Sequence, residues 1–150
     1  MSLPQLQTYS AFSLLKSTLN LKDYVSKGKS LGYEVLALSD EGQLSAMLAF
    51  CRLAQNENIQ PLIAMSLKTL WEGVEVELLL YVRNQQGYEN LFQLSTDFQL
   101  LGVQNLEKVL LKTQGLAVVL PFKNLAYDYF LKGNEKKPRN FCIYLKKIFT

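Results

Sequence analysis

The sequence of 150 residues contains no histidine and only two cysteines, Cys51 and Cys142, in separate segments with helical spacing. Without histidine the chain has no imidazole to act as a general base, to activate a serine or cysteine nucleophile, or to bind a metal. Two distant cysteines provide too few ligands for a zinc site. Any chemistry must therefore use carboxylates, lysines, tyrosines or backbone groups, and the low cysteine content fits a reducing cytoplasm.

Long apolar runs and glycine-rich phosphate loops are also missing. The longest apolar runs, such as residues 78–82, have the length of a strand, so we expect no segment that spans a membrane. Neither of the common nucleotide-binding glycine motifs occurs. An apolar content of 49% with 19% charged residues is sufficient for a buried core. We expect one cytoplasmic domain, or a piece of a larger protein, with no membrane contact.

Positive charge is concentrated near the C-terminal end of the sequence. Residues 132–150 contain six of the sixteen lysines and arginines and one acidic residue, whereas residues 1–131 have a net charge of −2. Such a basic segment with aromatic neighbours could contact nucleic acid. The candidate contacts are Lys136, Lys137 and Arg139. The alternative is an ordinary solvated face of a terminal helix.

Strand-like and helix-like windows alternate along the chain. Strands are predicted for residues 3–8, 34–38, 61–67, 74–82 and 116–120, with a further strand starting at 148. Helices are predicted for residues 21–31, 44–56, 86–100, 105–114, 124–131 and 138–147, the first with Asn20 as its N-cap. The sequence Trp71-Glu72-Gly73 predicts a hairpin-like turn, so that the strand over 74–82 is either antiparallel to its neighbour or an excursion from the barrel.

This alternation predicts part of an α/β barrel, in which functional side chains lie at the carboxyl ends of the strands. That rule selects Tyr9, Asp40 and Ser66. Within residues 74–82, alternate apolar residues predict a buried face, and Glu75 and Glu77 lie on the other face.

Several other side chains have both a structural and a functional interpretation. Trp71 could bind a partner from the hairpin tip or fold onto the body of the domain. Tyr9, Tyr81 and Tyr88 could stack on bases, although core or edge aromatics are more common in apolar segments. Cys51 lies on the predicted apolar face of its helix, with no base to activate it, so we expect a buried and inert thiol.

Four segments, taken in order, resemble one known family. Residues 5–15 read QLQTYSAFSLL, residues 36–42 LALSDEG, residues 58–66 NIQPLIAMS and residues 87–91 GYENL. They are similar to the opening His-x-His-Ser/Thr and Tyr/Phe-Ser-Leu-Leu stretch, the A-L-T-D-H-G motif, the G-I-K-P-I-x-G-x-E segment and the G-Y-x-N-L helix start of PHP (polymerase and histidinol phosphatase) domains. These domains occur at the N-terminus of bacterial DNA polymerase III alpha subunits, and the resemblance covers roughly residues 3–131.

The resemblance implies a partial, TIM-like α/β barrel with a degenerate metal site. Family members with an intact site carry histidine where this chain has Gln7, Tyr9 and Glu41, and a carboxylate where it has Ser66; only Asp40 is retained. An amide and a phenol cannot supply the charge that a multinuclear phosphoesterase centre needs. We therefore expect no catalytic residue, no bound metal and no other cofactor in these residues.

Asp40 and Glu41 leave one alternative open. Two carboxylates are sufficient to bind one Mg²⁺ ion weakly, with water completing its shell. The structural alternative is that Asp40 caps the turn after its strand or the first turn of the next helix.

The family resemblance also implies a context for the domain. Residues 1–150 would be the N-terminal part of a PHP domain in a bacterial replicative DNA polymerase, and residues 1–3 are expected to come from cloning. Other parts of that longer chain would contact DNA and perform template-directed DNA synthesis with Mg²⁺. This domain would be a non-catalytic scaffold for the rest of the polymerase and for replication proteins such as a proofreading exonuclease. The alternatives are a stand-alone PHP-type metal-dependent phosphoesterase and a nucleic-acid-binding module that uses the basic segment.

Overall fold

The structure, a computed structural model, describes residues 5–121 and 136–149. Its elements are α1 (Leu21–Ser30), β1 (Val35–Leu38), α2 (Met47–Asn56), β2 (Gln60–Trp71), β3 (Val74–Val82), α3 (Gln85–Leu101), β4 (Gln104–Asn105), α4 (Leu106–Leu110), β5 (Leu116–Val119) and α5 (Lys136–Ile148). The helix predicted over 124–131 lies outside the described residues. None of the helices in the described ranges has the length and apolar character needed to span a bilayer.

The strands form one mixed sheet in the order β1-β2-β3-β5, and the short β4 pairs with β2. β1 is parallel to β2, whereas β3 is antiparallel to both β2 and β5. At the tip of the β2–β3 hairpin, Trp71 pairs with Val74, and Glu72 and Gly73 have φ angles of 49° and 77°. Positive φ at both central residues is typical of a type I′ turn, so of the two predicted alternatives the antiparallel hairpin is confirmed.

Described helices pack on one face of this sheet. Side chains from β2 and β3, including Met65 and Leu78, form one buried cluster with α3, α4 and α5, and Leu36 and Leu38 of β1 pack against α1 and α2. The register places Leu38 opposite Ile63, which shares the face of Met65, so both clusters lie on the same side. This arrangement resembles the wall of an α/β barrel and confirms the predicted fold class.

The opposite face of the sheet is covered differently. Ala37, Ala64, Leu79 and Tyr81 form a small buried cluster there. The Tyr81 hydroxyl donates to the Leu6 carbonyl of the N-terminal segment. Among the residues that the structure describes, an irregular segment rather than a helix contacts this side of the sheet at Tyr81.

Three predictions about local structure are wrong. Residues 5–8 do not form a strand, because the Thr8 N–H donates to the Ser39 side-chain Oγ (2.9 Å) instead of to a strand carbonyl. The second helix begins at Met47 rather than at 44, and its N-cap residue supplies no capping side chain. Within this helix Leu48 is 57% exposed, and Phe50 is fully buried. Ile148 continues α5 rather than starting a strand.

The GYENL segment marks a close contact between the start of α3 and the loop before β5. Asn84 caps α3 by accepting a hydrogen bond from the Gly87 N–H (3.0 Å), and the Asn90 amide donates to the Gln114 carbonyl (2.8 Å). A Cβ at Gly87 would lie 1.9 Å from the Gly115 carbonyl oxygen. Glycine is therefore required at position 87 by close backbone approach, since its φ is not in the left-handed region.

Gly87→Ala should destabilise the protein by about 1–3 kcal/mol because the new methyl group overpacks this contact. The sign of this change in the free energy of unfolding is informative, because helix propensity alone would make alanine about 0.8–1.0 kcal/mol more stable than glycine. Urea unfolding measures the change. The control is Gln93→Ala on an exposed position of α3, which should alter stability by less than about 0.5 kcal/mol. Equal stability of the two variants would contradict the close contact.

The two cysteines should differ in reactivity. Cys51 is half-buried on α2, less than the sequence predicted, and burial raises the pKa of its thiol; Cys142 is exposed on α5. At pH 8 a thiol-reactive chromogenic disulfide should label Cys142 first and Cys51 several-fold more slowly, because the thiolate is the nucleophile. Cys142→Ser should remove only the fast phase. Loss of the slow phase in that variant would show the assignment to be reversed.

Candidate functional site

The five predicted metal-site positions lie at one edge of the sheet. Asp40 is two residues past β1, and Glu41 forms a parallel bridge with Ser66 in β2. The Ser66 N–H donates to the Asp40 carbonyl (3.0 Å). Gln7 and Tyr9 reach this edge from the N-terminal segment, where the Gln7 amide donates to the Tyr9 hydroxyl (2.8 Å). The sequence therefore identified a set of residues that the fold does bring together.

Asp40 anchors the N-terminal segment to the end of β1. Its side chain is only 2% exposed, and its carboxylate accepts three hydrogen bonds: from the Ser10 N–H (2.7 Å), the Ser10 hydroxyl (2.6 Å) and the Ser13 hydroxyl (2.6 Å). The alternative that Asp40 caps the next helix is wrong, because these donors come from residues 10–13, and Ala46 is the N-cap of α2. Both carboxylate oxygens are occupied by neutral donors.

A second group of side chains surrounds Glu77 of β3. The Tyr9 hydroxyl donates to Glu77 Oε1 (2.5 Å), and the Ser66 hydroxyl donates to the same oxygen. Burial, followed by the hydrogen bond to Glu77, raises the pKa of the Tyr9 phenol. The phenol is therefore a neutral hydrogen-bond donor at neutral pH. Glu77 was missed as a site residue because its alternation with apolar residues suggested a solvent-facing position.

Two lysines complete the site, and neither was identified from the sequence. Lys16 forms an ion pair with Glu41 Oε2, and the Lys68 Nζ lies 3.6 Å from Glu41 Oε1. Lys68 also pairs with Glu75 (3.3 Å), and the Lys16 Nζ lies 5.4 Å from the centroid of the Tyr9 ring. Both oxygens of the Glu41 carboxylate therefore face ammonium groups.

These residues do not fit a multinuclear metal centre. Within residues 5–121 and 136–149, no group of three or more His, Cys, Asp or Glu side chains is arranged to hold a metal ion. The Asp40 carboxylate already accepts hydrogen bonds from Ser10 and Ser13, and Glu41 pairs with two lysines. Such a centre needs clustered electron-pair donors, whereas the neighbours of these two carboxylates are hydrogen-bond donors and ammonium groups. The absence of bound metal remains a prediction.

The basic candidates lie elsewhere. Lys136 and Arg139 are exposed on α5, which also contains Lys137. The buried side of α5 packs on the helix-covered face of the sheet, where Phe141 contacts Trp71 with a centroid distance of 4.8 Å. The structure therefore does not place these residues with the five metal-site positions, and their contact with nucleic acid remains a prediction.

The remaining aromatic candidates occupy structural positions. Trp71 folds back onto α5 instead of projecting from the hairpin tip. Tyr81 is 8% exposed in the sheet, and Tyr88 packs against Phe92 on α3 with a centroid distance of 5.3 Å. These positions agree with the structural interpretation of each residue.

Removing the Ser13 hydroxyl tests the role of Asp40. Ser13→Ala should destabilise the protein by about 1.5–3 kcal/mol, because a hydrogen bond to a charged group is lost. The same substitution should cost clearly less in an Asp40→Ala background, with a coupling of at least about 0.5 kcal/mol. Urea unfolding of the wild type, the two single variants and the double variant gives this double-mutant cycle. Ser26→Ala, on an exposed position of α1, is the matched control and should be additive with Asp40→Ala.

Comparison with known sequences gives a consistent result. The PHP domain family matches residues 5–149. DNA polymerase III subunit alpha of Streptococcus pyogenes serotype M3 is 26% identical over 133 residues, which is 85% of this chain and 13% of that protein. The same subunit of Bacillus subtilis is 28% identical over 138 residues, covering 89% of this chain and 12% of the relative. The chain thus spans about one-eighth of the length of these relatives.

Solved structures show the same fold at low sequence identity. A protein assigned as a metal-dependent phosphoesterase from Bifidobacterium adolescentis has a TM-score of 0.55 and 14% identity, covering 65% of this chain and 33% of that one. An amidohydrolase from Chromobacterium violaceum has a TM-score of 0.52 and 14% identity, with coverages of 64% and 33%. With the family match extending over nearly all of the sequence, the chain belongs to the PHP domain family.

Proposed function

We propose that this PHP domain is a non-catalytic scaffold in a bacterial replicative DNA polymerase alpha subunit. The observation that carries the proposal is that the five metal-site positions belong to a network of hydrogen bonds and ion pairs. Asp40 binds Ser10 and Ser13, and Glu41 binds two lysines. These contacts stabilise the junction between the N-terminal segment and the sheet, which supports a structural role for both carboxylates.

The polymerase context is supported by the relatives, which are DNA polymerase III alpha subunits much longer than this chain. In the proposed protein, template-directed DNA synthesis with Mg²⁺ belongs to the remainder of the chain, in the cytoplasm. This domain contacts that remainder and offers a surface to a replication partner such as a proofreading exonuclease. The similarity to phosphoesterase and amidohydrolase structures supports the fold alone, because the identity is 14%.

Metal binding and phosphoester hydrolysis should both be absent from the purified chain. Calorimetric titration with MnCl₂ should show no micromolar binding, because the carboxylates are already paired. A chromogenic phosphodiester should be hydrolysed no faster than by the Asp40→Ala variant. Micromolar affinity with turnover that Asp40→Ala abolishes would contradict the scaffold role and would support a stand-alone phosphoesterase.

The polymerase context predicts the size of the native protein. An antibody raised against this domain should detect, in extracts of the source cells, a protein several times larger than the 17.1 kDa of this sequence. Immunoprecipitates should contain primer-extension activity. Pre-incubation of the antibody with the purified domain is the control. Detection of a protein of this mass alone would contradict the polymerase context.

A further inference from the structure

The carboxylates at this edge of the sheet need positive charge, and the chain supplies it from two lysines. The Glu41 side chain is 18% exposed, with Lys16 on one carboxylate oxygen and Lys68 on the other. Two more carboxylates lie nearby. Asp40 precedes Glu41 in the chain, and Ser66, which forms a β-bridge with Glu41, donates a hydrogen bond to Glu77. Burying three carboxylates this close together would cost free energy of folding if no cations lay nearby.

The placement of the lysines is determined by separate parts of the fold. Lys68 lies on β2, opposite Glu77 in the register, so the sheet fixes its position between Glu41 and Glu75. Lys16 reaches Glu41 from the N-terminal segment and passes over the Tyr9 ring, where a cation–π contact adds to the ion pair. Glu41 is therefore held between two cationic groups that come from separate segments of the chain.

We propose that the ammonium groups of Lys16 and Lys68 take the place of divalent cations at this edge, so that the domain folds without metal. The inference deepens the proposed scaffold role and rests on it. In a metal-bound PHP domain the ion would hold the N-terminal segment to the sheet. Here the ion pairs across Glu41 perform that task with groups encoded in the chain itself.

Thermal unfolding of the purified 150-residue chain tests this proposal. The wild-type Tm should be the same in EDTA and in millimolar MnCl₂. Lys16→Met/Lys68→Met should lower the Tm in EDTA by about 3–6 °C, as expected for a moderate loss of stability in a domain of this size. Methionine keeps the apolar stem, so the loss reports mainly on charge. The matched control is Lys22→Met/Lys27→Met, which removes two exposed lysines of α1.

Two further measurements test whether Glu41 is the carboxylate that requires the lysines. Adding Glu41→Gln to the double variant should recover most of the lost Tm, because the carboxylate that needed the cations is gone. Millimolar Mn²⁺ should raise the Tm of the double variant and leave that of the triple variant unchanged. If the double variant does not fold, Lys68→Met with and without Glu41→Gln gives the same comparison with Lys16 in place.

The outcomes separate this inference from the scaffold role. A wild-type Tm that rises with Mn²⁺ would overturn the proposed loss of the metal site itself. An unchanged wild type, with a double variant no less stable than the control or without rescue by Glu41→Gln, would overturn only the role of the lysines. A double variant rescued by Glu41→Gln but insensitive to Mn²⁺ would overturn the substitution for divalent cations.

Discussion

The buried carboxylate of Asp40 is the constraint on which the rest of the site depends. It accepts three hydrogen bonds from Ser10 and Ser13 and so fixes residues 10–13 at the end of β1. Tyr9 precedes this anchor and Lys16 follows it, so the reach of both side chains toward β2 and β3 is set there. The Thr8 and Ser39 backbones are joined by a hydrogen bond of 2.8 Å on the other side of the anchor. Loss of the carboxylate would therefore remove the three hydrogen bonds that fix residues 10–13, between Tyr9 and Lys16, at the end of β1.

Much of the fold could be predicted because its local signals are strong. The Asn20 side chain caps α1 by accepting from the Lys22 N–H (2.9 Å), and the Glu72-Gly73 turn selects the hairpin. Predictions failed where a backbone group forms its hydrogen bond with a side chain that is distant in the sequence instead of with a neighbouring strand. Residues 5–8 have strand-like composition, but the Ser39 side chain takes the hydrogen bond that a strand partner would have made. No local pattern in the sequence of the N-terminal segment predicts this hydrogen bond to Ser39.

The site was only partly predictable for a related reason. The predicted strand ends selected Tyr9, Asp40 and Ser66, and family resemblance added Gln7 and Glu41. Glu77 was assigned to solvent because one face of an antiparallel sheet is commonly exposed. Leu79 and Tyr81 share the face of Glu77, and two large apolar side chains there are a sequence signal that this face is covered. Lys16 has no such signal, because only the anchored N-terminal segment brings it to Glu41.

The same carboxylates can serve hydrolysis or folding, and the groups around them decide which. A metal centre surrounds its ions with lone pairs from histidines and carboxylates, and the ions lower the pKa of bound water. In this chain, which has no histidine, serine and tyrosine hydroxyls donate hydrogen bonds to Asp40 and Glu77, and lysine ammonium groups form ion pairs with Glu41. Hydrogen bonds therefore occupy both oxygens of Asp40 and one oxygen of Glu77, and ion pairs hold the Glu41 carboxylate. The hydrogen bonds from Ser10 and Ser13 therefore give Asp40 a structural role in this chain, which is to hold the N-terminal segment at the end of β1.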